Sequence, residues 1–216
     1  GYKTKKDDQV TVKVALSHVS VEGAKKNLQA EVSHWDFDKV KNDARDTWNE
    51  ELTRVAVKGN DEAQKQVFYT AFYRSLLAQY IGQDVDGQYM GMDKKVHTAQ
   101  KYDFYPSFSC WDTYRTQHPL LTLVAPDHVN DFVKSIAAKT TEFGWLPAQH
   151  FRNTYRPSMV GDHLIPVIVD AYFKGYRDWD IEGLYAAMRR KALEAPPANI
   201  PTSAGRAGLA DFIRLG

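Results

Sequence analysis

Apolar residues recur at intervals of three and four along most of this 216-residue chain. That spacing places them on one face of an α-helix, so the pattern predicts a mainly helical protein. Capping residues and prolines set the approximate end of each helix. The predicted helices cover residues 37–52, 61–79, 109–123, 126–144, 162–174, 180–193 and, as a helix or a turn, 205–215.

The predicted helix at 162–174 differs from the others because it is apolar on nearly all sides. Its start is set by Pro166, which has no N–H and is tolerated only in the first turn of a helix. A helix without a polar face must be enclosed by neighbouring helices. Enclosed and amphipathic helices alternate along the chain, which predicts a two-layered helical barrel.

One segment near the N-terminus has a different period. Residues 9–16 alternate polar and β-branched side chains, which predicts a half-buried β-strand. Within this sequence its one candidate partner is a short pairing around residues 84–90, where Asp86-Gly87 is a hairpin signal. We therefore expect the strand to complete a sheet formed elsewhere, and residues 20–28 to begin a linker.

The composition narrows the class of protein. The 28 basic and 27 acidic side chains nearly balance, so no charge excess indicates nucleic-acid binding. The longest apolar run, 164–173, contains Pro166 and falls well short of the roughly 20 residues that a membrane span needs. Zinc, haem and nucleotide binding are unsupported, because there is no His-Glu-x-x-His pattern, no cysteine pair and no phosphate-binding glycine loop.

The cysteine content bears on the redox state of the protein. The first residues bear on whether the sequence is the start of a precursor. Cys110 has no partner for a disulfide, and its place beside Trp111 predicts an inert, buried thiol. Residues 1–6 contain no hydrophobic signal core, so we expect a mature or an excised segment rather than the start of a precursor.

The densest group of chemically versatile side chains lies in residues 108–123. Ser109 is a good N-cap, and Asp112 three residues later suits the N-terminus of a helix. Trp111 with Asp112 and Arg115 also suits a sugar, because a pyranose offers hydroxyls to carboxylate and arginine groups and an apolar C–H face to an indole. The alternative is a capped helix with a buried tryptophan.

The residues just before this segment are unusually aromatic. Residues 102–108 include two phenylalanines and two tyrosines. They fit either a sugar platform or a loop anchored against the core, and anchoring is favoured for Phe104 and Phe108.

A second polar pair, Asp162-His163, stands at the start of the predicted enclosed helix. If this helix and the one at Asp112 belong to the inner ring, their N-termini converge on one mouth of the barrel and share a polar pocket. An N-capping aspartate beside a surface histidine explains the pair equally well. The acidic residues at 84, 86 and 93 lack the spacing of a calcium loop and are interpreted as turn residues.

Four blocks of the sequence match a known family in order and spacing. They are FYTAFYR at 68–74, GQYMGMD with VH at 87–97, FSCWDTYR with HPLLTL at 108–123, and GDH with DAY and KG at 161–175. Together they resemble the α-mannosidases of glycoside hydrolase family 92. Residues 17–28 and 205–209 also look like that family, so the resemblance covers essentially the whole chain. It departs at Cys110, where an aliphatic residue is usual, and at Leu164, where alanine is common.

The resemblance implies an exo-acting, calcium-dependent, inverting α-mannosidase acting on α-1,2 linkages, with an N-terminal β-sandwich followed by an (α/α)6 barrel. On that basis the chain is mainly α. Residues 1–19 would end the sandwich with its terminal β-strand, 20–58 would form a helical linker, and 59–216 the first half of the barrel. The family's general acid, general base and calcium ligands come from later motifs. None of them is expected before Gly216, so no catalytic residue and no metal ligand is assigned here.

The resemblance also implies which residues meet the substrate. Trp111 and Asp112 would line the pocket for the terminal mannose, with Arg115 in the same segment and Asp162 and His163 nearby. The expected partners are mannose-terminated glycans and the rest of the same polypeptide, in a secreted, periplasmic or cell-surface protein. A non-catalytic helical interaction module that retains the fold is the alternative. A third possibility, an (α/α)6 hydrolase of α-glucosides, would not carry the four blocks.

Overall fold

The computed structural model describes residues 3–148, 150–156, 158–159 and 161–215. Within these ranges the chain is mainly helical and contains two short antiparallel hairpins. The helices are α1 (Val21–Glu31), α2 (Phe37–Leu52), α3 (Glu62–Leu76), α4 (Cys110–Thr113), α5 (Gln117–Val124), α6 (Pro126–Phe143), α7 (Leu164–Phe173), α8 (Ile181–Leu193) and α9 (Leu209–Leu215). The strands are β1 (Gln88–Met90), β2 (Val96–Thr98), β3 (His150–Phe151) and β4 (Thr154–Tyr155), and a 3-10 turn spans Thr202–Ala204.

The core lies where α5, α6, α7 and α8 pack together. Its fully buried side chains include Ile136 of α6, Ile168 of α7 and Leu184 of α8. Helix α6 begins with Pro126, whose missing N–H costs nothing in a first turn, and ends at Gly144 with a left-handed φ of 76°. Both ends of this helix are therefore as the sequence predicts.

Residues 9–16, predicted to complete a sheet formed elsewhere, join no sheet in the described part of the chain, so that prediction stays untested. The segment's period of two nevertheless survives in the burial of its side chains. Val14 and Leu16 are 78% and 80% exposed, whereas Lys13 and Ala15, which alternate with them, are partly buried. The apolar side chains of this segment are thus the exposed ones. A β-strand needs a backbone partner, and no described residue provides one to this segment.

Residues 84–90, the one candidate partner within this sequence, do not pair with that segment. Gln88–Met90 pairs with Val96–Thr98 instead, with Tyr89 opposite His97. The Asp86-Gly87 dipeptide forms a turn before β1 rather than the hairpin loop. Gly87 donates its N–H to the carbonyl of Asp84 at 2.8 Å and has a φ of 79°, a value that suits glycine.

The single helix predicted at 109–123 is two helices, α4 and α5, separated by residues 114–116. The physical reason is Pro119. In an unbroken helix Pro119 would owe a hydrogen bond to the carbonyl of Arg115, which proline cannot donate, and its ring would collide with that carbonyl. With α5 starting at Gln117, Pro119 falls in the first turn, where no such bond is required.

Helix α7 is not enclosed within the described residues. Leu164, Val167 and Ile168 are buried on one side, but Phe173 is 77% exposed. A groove of about 440 Å³ runs between α7 and α8, and Tyr172 and Tyr185 line it. The prediction of a fully enclosed helix is therefore wrong for this chain taken by itself.

Candidate functional site

The starts of α4 and α7 lie next to each other, as predicted from the sequence. The imidazole of His163, at the N-cap position of α7, stacks on the ring of Tyr114 with centroids 4.5 Å apart and an interplanar angle of 8°. The indole of Trp111 meets the same imidazole edge-on, with centroids 5.4 Å apart. Trp111, Tyr114 and His163 form what we call the ring stack.

Arg115 extends the ring stack on its outer side. Its guanidinium carbon lies 5.1 Å from the centroid of the Tyr114 ring, a cation–π geometry, and the residue is exposed. Tyr114 therefore lies in contact with both His163 and Arg115. Tyr114 was not among the predicted site residues, although it lies between Trp111 and Arg115 in the same block.

Asp112 lies beside the ring stack and is exposed. The predicted capping by Ser109 is wrong in its detail. Ser109 occupies the N-cap position, but its hydroxyl makes no bond to a helix N–H and instead donates to Oδ2 of Asp112 at 2.6 Å. The serine hydroxyl thereby orients a carboxylate that faces solvent. Asp112 is thus held in place and remains accessible to a ligand.

Asp162, in contrast, is engaged in two ion pairs. Its carboxylate oxygens lie 3.2 Å from Nζ of Lys191 and 3.1 Å from Nε of Arg206. Lys191 is fully buried and also donates to the carbonyls of Leu146 at 2.9 Å and Ala204 at 2.7 Å. Burial lowers the pKa of Lys191, and Asp162 opposes that shift. Asp162 therefore balances the charge of a buried ammonium group.

A cavity of about 670 Å³ adjoins this pair. Asp162 and Arg206 contribute to its wall, together with Gly161, Thr202 and Ser203. A volume of this size is typical of pockets that hold small ligands. Because His163 of the ring stack directly follows Asp162, one dipeptide connects the cavity with the ring stack.

Gly161 fixes the approach of the chain to His163. Its φ is 100°, and a Cβ atom at this position would lie 2.6 Å from Nε2 of the imidazole. Both the backbone conformation and the close contact require glycine. Nε2 of His163 is buried and has no hydrogen-bond partner among the described residues.

No group of three histidine, cysteine, aspartate or glutamate side chains suited to a metal ion occurs in the part of the chain that the structure describes. The acidic residues at turns have other partners. Asp84 accepts hydrogen bonds from Ser17 at 2.7 Å and Asn27 at 2.9 Å. Asp86 pairs with a lysine of α1, and Asp93 with a histidine of β2.

No helix within those same described ranges is long and apolar enough to span a membrane.

One polar feature close to the site was missed from the sequence. Five polar residues of α6 lie one turn apart on a face that is buried or partly buried rather than solvated. We call them the α6 polar stripe: His128, Asp131, Ser135, Lys139 and Glu142. Their spacing of three and four residues was visible in the sequence. That spacing does not by itself predict a buried stripe, because a polar face on a helix ordinarily faces water.

Comparison with known proteins identifies the family of this fold. The model of the glycosyl hydrolase family 92 catalytic domain matches residues 23–216. The chain therefore belongs to glycosyl hydrolase family 92. A curated relative from Arthroderma benhamiae, described as an uncharacterized secreted glycosidase, is 28% identical. That match covers 96% of this chain and 23% of the relative.

Two solved structures from Bacteroides thetaiotaomicron are similar to this chain. A family GH92 alpha-mannosidase, also solved in complex with mannoimidazole, is 31% identical with a TM-score of 0.78, covering 84% of this chain and 24% of that protein. A family GH92 inverting mannosidase is 30% identical with a TM-score of 0.81, covering 92% of this chain and 27% of that protein. The chain thus spans about a quarter of the length of its relatives.

Proposed function

We propose that this chain is the first part of the catalytic (α/α)6 barrel of an α-mannosidase, preceded by the end of a β-sandwich at 1–19 and a helical linker at 20–58. Two mannosidases with TM-scores of 0.78 and 0.81 support the proposal. So does the exposed apolar face of residues 10–16, which has the period of a strand lacking its sheet. The open groove between α7 and α8 is what an incomplete ring of helices leaves.

Within that enzyme, we propose that Trp111 and Asp112 hold the terminal mannose. The observation that carries this proposal is the ring stack next to an exposed carboxylate. An indole offers an apolar face to the C–H bonds of a pyranose, and a carboxylate accepts hydrogen bonds from its hydroxyls. Arg115 adds donors at the outer side, and His163 contributes its ring to the stack.

The role of Asp162 in this proposal differs from that of Asp112. Because both of its oxygens are paired with cations, it acts first by fixing Lys191 and Arg206. Any contact with the sugar is made from the wall of the 670 Å³ cavity, where Asp162 and Arg206 stand side by side.

The proposed reaction is hydrolysis with inversion, directed at α-1,2-linked mannose and dependent on calcium. An inverting glycosidase needs an acid and a base about 6.5–9.5 Å apart, with a water molecule between them. The family resemblance assigns that pair and the calcium ligands to later motifs, so the contribution of this chain is sugar binding. The description of the Arthroderma relative as secreted supports an extracytoplasmic protein acting on mannose-terminated glycans.

The test is Asp112→Asn in the full-length protein, assayed on an aryl α-mannoside. Asparagine preserves the shape and still accepts the hydrogen bond from Ser109, so the melting temperature should barely change. Loss of a charge-assisted hydrogen bond worth roughly 1.5–3 kcal/mol should lower kcat/KM at least about tenfold. Asp127→Asn is the matched control, since Asp127 is an exposed first-turn carboxylate on α6.

Three outcomes would contradict the proposal, each in favour of a different alternative. A variant that unfolds several degrees earlier but keeps the kcat/KM of the parent would show that Asp112 is structural. A full-length protein inactive on all α-glycosides would indicate the non-catalytic interaction module, and hydrolysis of α-glucosides alone would indicate the glucosidase alternative. The isolated 216-residue chain should show no measurable mannosidase activity, because it lacks the proposed acid and base.

A further inference from the structure

The α6 polar stripe faces the segment that leads into α4. Three of its members bind the backbone of residues 103–105. Asp131 accepts a hydrogen bond from the N–H of Asp103 at 3.0 Å, and the hydroxyl of Ser135 accepts one from the N–H of Tyr105 at 2.9 Å. Nζ of Lys139 donates to the carbonyl of Tyr105. One helix face therefore fixes the backbone of this short segment.

The other two members of the stripe contact side chains or the neighbouring hairpin. Nδ1 of His128 lies 3.1 Å from the hydroxyl of Tyr105. Glu142 accepts hydrogen bonds from the N–H of Met92 at 2.9 Å and from the hydroxyl of Tyr89 at 2.7 Å. The stripe thus divides into a part that holds residues 103–105 and an end, Glu142, that holds the β1–β2 hairpin.

Lys139 is the member whose burial needs an explanation. Its side chain is fully buried, and Nζ lies 5.1 Å from the ring centroid of Phe104 and 4.8 Å from that of Phe108. Burying an ammonium group is costly unless it gains partners. Here a carbonyl and the electron-rich faces of two rings supply them. Burial lowers the pKa of Lys139 to about 7.

The residues that Lys139 holds connect directly to the proposed sugar site. Phe108 is buried and packs against Tyr105 and Phe132, and it precedes Trp111 by three positions. No helix and no strand separates residue 105 from the start of α4 at Cys110, only an isolated bridge at residue 108. The position of the Tyr105 carbonyl therefore helps to set where α4 begins.

We propose that Lys139 is a positioning residue for the sugar site, holding Tyr105, Phe104 and Phe108 so that Trp111 and Asp112 enter α4 at the geometry that binds mannose. The proposal rests on the function proposed above. It assigns no contact between Lys139 and the substrate. It does require that loss of the ammonium group change the order of residues 106–113 and, through them, the binding of the sugar.

The experiment is Lys139→Met in the full-length protein, because methionine keeps an unbranched apolar stem and removes the cation. We expect kcat/KM on an aryl α-mannoside to fall by about tenfold to 100-fold, mainly through a higher KM, as displaced binding groups would cause. Hydrogen exchange of the amides at 107–113 should become faster. The matched control is Glu142→Gln, which should speed exchange in the β1–β2 hairpin and leave KM unchanged.

The outcomes distinguish this inference from the proposed function. If Asp112→Asn raises KM but Lys139→Met lowers only the melting temperature, Lys139 is a structural residue and the inference is wrong. If Asp112→Asn has no effect on kcat/KM, the proposed sugar site itself fails. Should Lys139→Met not fold, Ser135→Ala removes the neighbouring bond to the N–H of Tyr105 and should give the same pattern in milder form. Unchanged exchange at 107–113 in that variant would also contradict the inference.

Discussion

At the scale of single residues, the most informative side chains are polar groups placed inside the core. His118 on α5 is 4% exposed and contacts the rings of Phe108 and Phe132, with centroids 5.5 and 5.9 Å away. Burial lowers its pKa to about 4 from the usual 6.5, opposed by the charge of Asp170. The imidazole is therefore neutral in the folded protein near neutral pH.

This shift predicts a specific loss of stability in acid. Between pH 6.5 and about 4 the unfolded chain binds a proton on this imidazole that the folded chain does not. The contribution of His118 is thus fully present above pH 6.5 and is lost as the pH falls through that window. In His118→Gln, the free energy of unfolding should fall less between pH 7 and pH 5 than in the parent.

Urea unfolding at the two pH values measures this difference. The exposed His18→Gln variant is the control and should follow the parent. Equal losses in the parent and in His118→Gln would show that the imidazole does not titrate as its burial implies.

The residues of the site differ in how far the sequence could predict them. The predicted convergence of two helix starts implies that Trp111 and His163 lie close together, and the ring stack confirms that convergence. The ion pairs of Asp162 could not be foreseen, because Lys191 and Arg206 lie 29 and 44 positions away along the chain. Long-range pairs of this kind leave no periodic signal in the sequence.

At the scale of elements, local chemistry determines the helix ends, and it allowed both ends of α6 to be predicted. Asp36 and Asp180 cap α2 and α8 through bonds of 2.9 Å to backbone N–H groups, and α6 ends at Gly144 as predicted. These signals lie within a few residues of the helix ends they determine. Local signals do not reach features whose partners lie elsewhere. Residues 9–16 have no neighbouring strand among the described residues, and the α6 polar stripe is polar because it hydrogen-bonds residues 103–105.

The groove between α7 and α8 gives a prediction at this scale. The isolated chain should bind an apolar fluorescent dye, because Phe173 is 77% exposed beside further exposed rings. Phe173→Ser should weaken that binding while changing the melting temperature little. The matched control is Leu123→Ser, since Leu123 is 76% exposed on α5 and does not line the groove. Similar dye binding by both variants would show that the groove is not the attractive surface.

At the scale of the whole molecule, two of the exposed apolar surfaces among the described residues suggest how the chain continues its fold. One is the apolar face of residues 10–16, and the other is the groove between α7 and α8. We propose that the rest of the same polypeptide covers both, the first by a β-sandwich and the second by later helices of the barrel. The ring stack and Asp112, by contrast, are formed entirely by residues of this chain.

The labelling rate of Cys110, the only cysteine of the sequence, measures how often this core opens. The side chain of Cys110 is 3% exposed, its Sγ lies 4.0 Å from His118, and burial raises the pKa of the thiol to about 12. Only the thiolate attacks a disulfide reagent and displaces its leaving thiolate, so native protein at pH 8 should be labelled slowly, at a rate set by unfolding. Because Cys110 begins α4, that rate follows the segment that presents Trp111 and Asp112, and a sugar bound there should slow it.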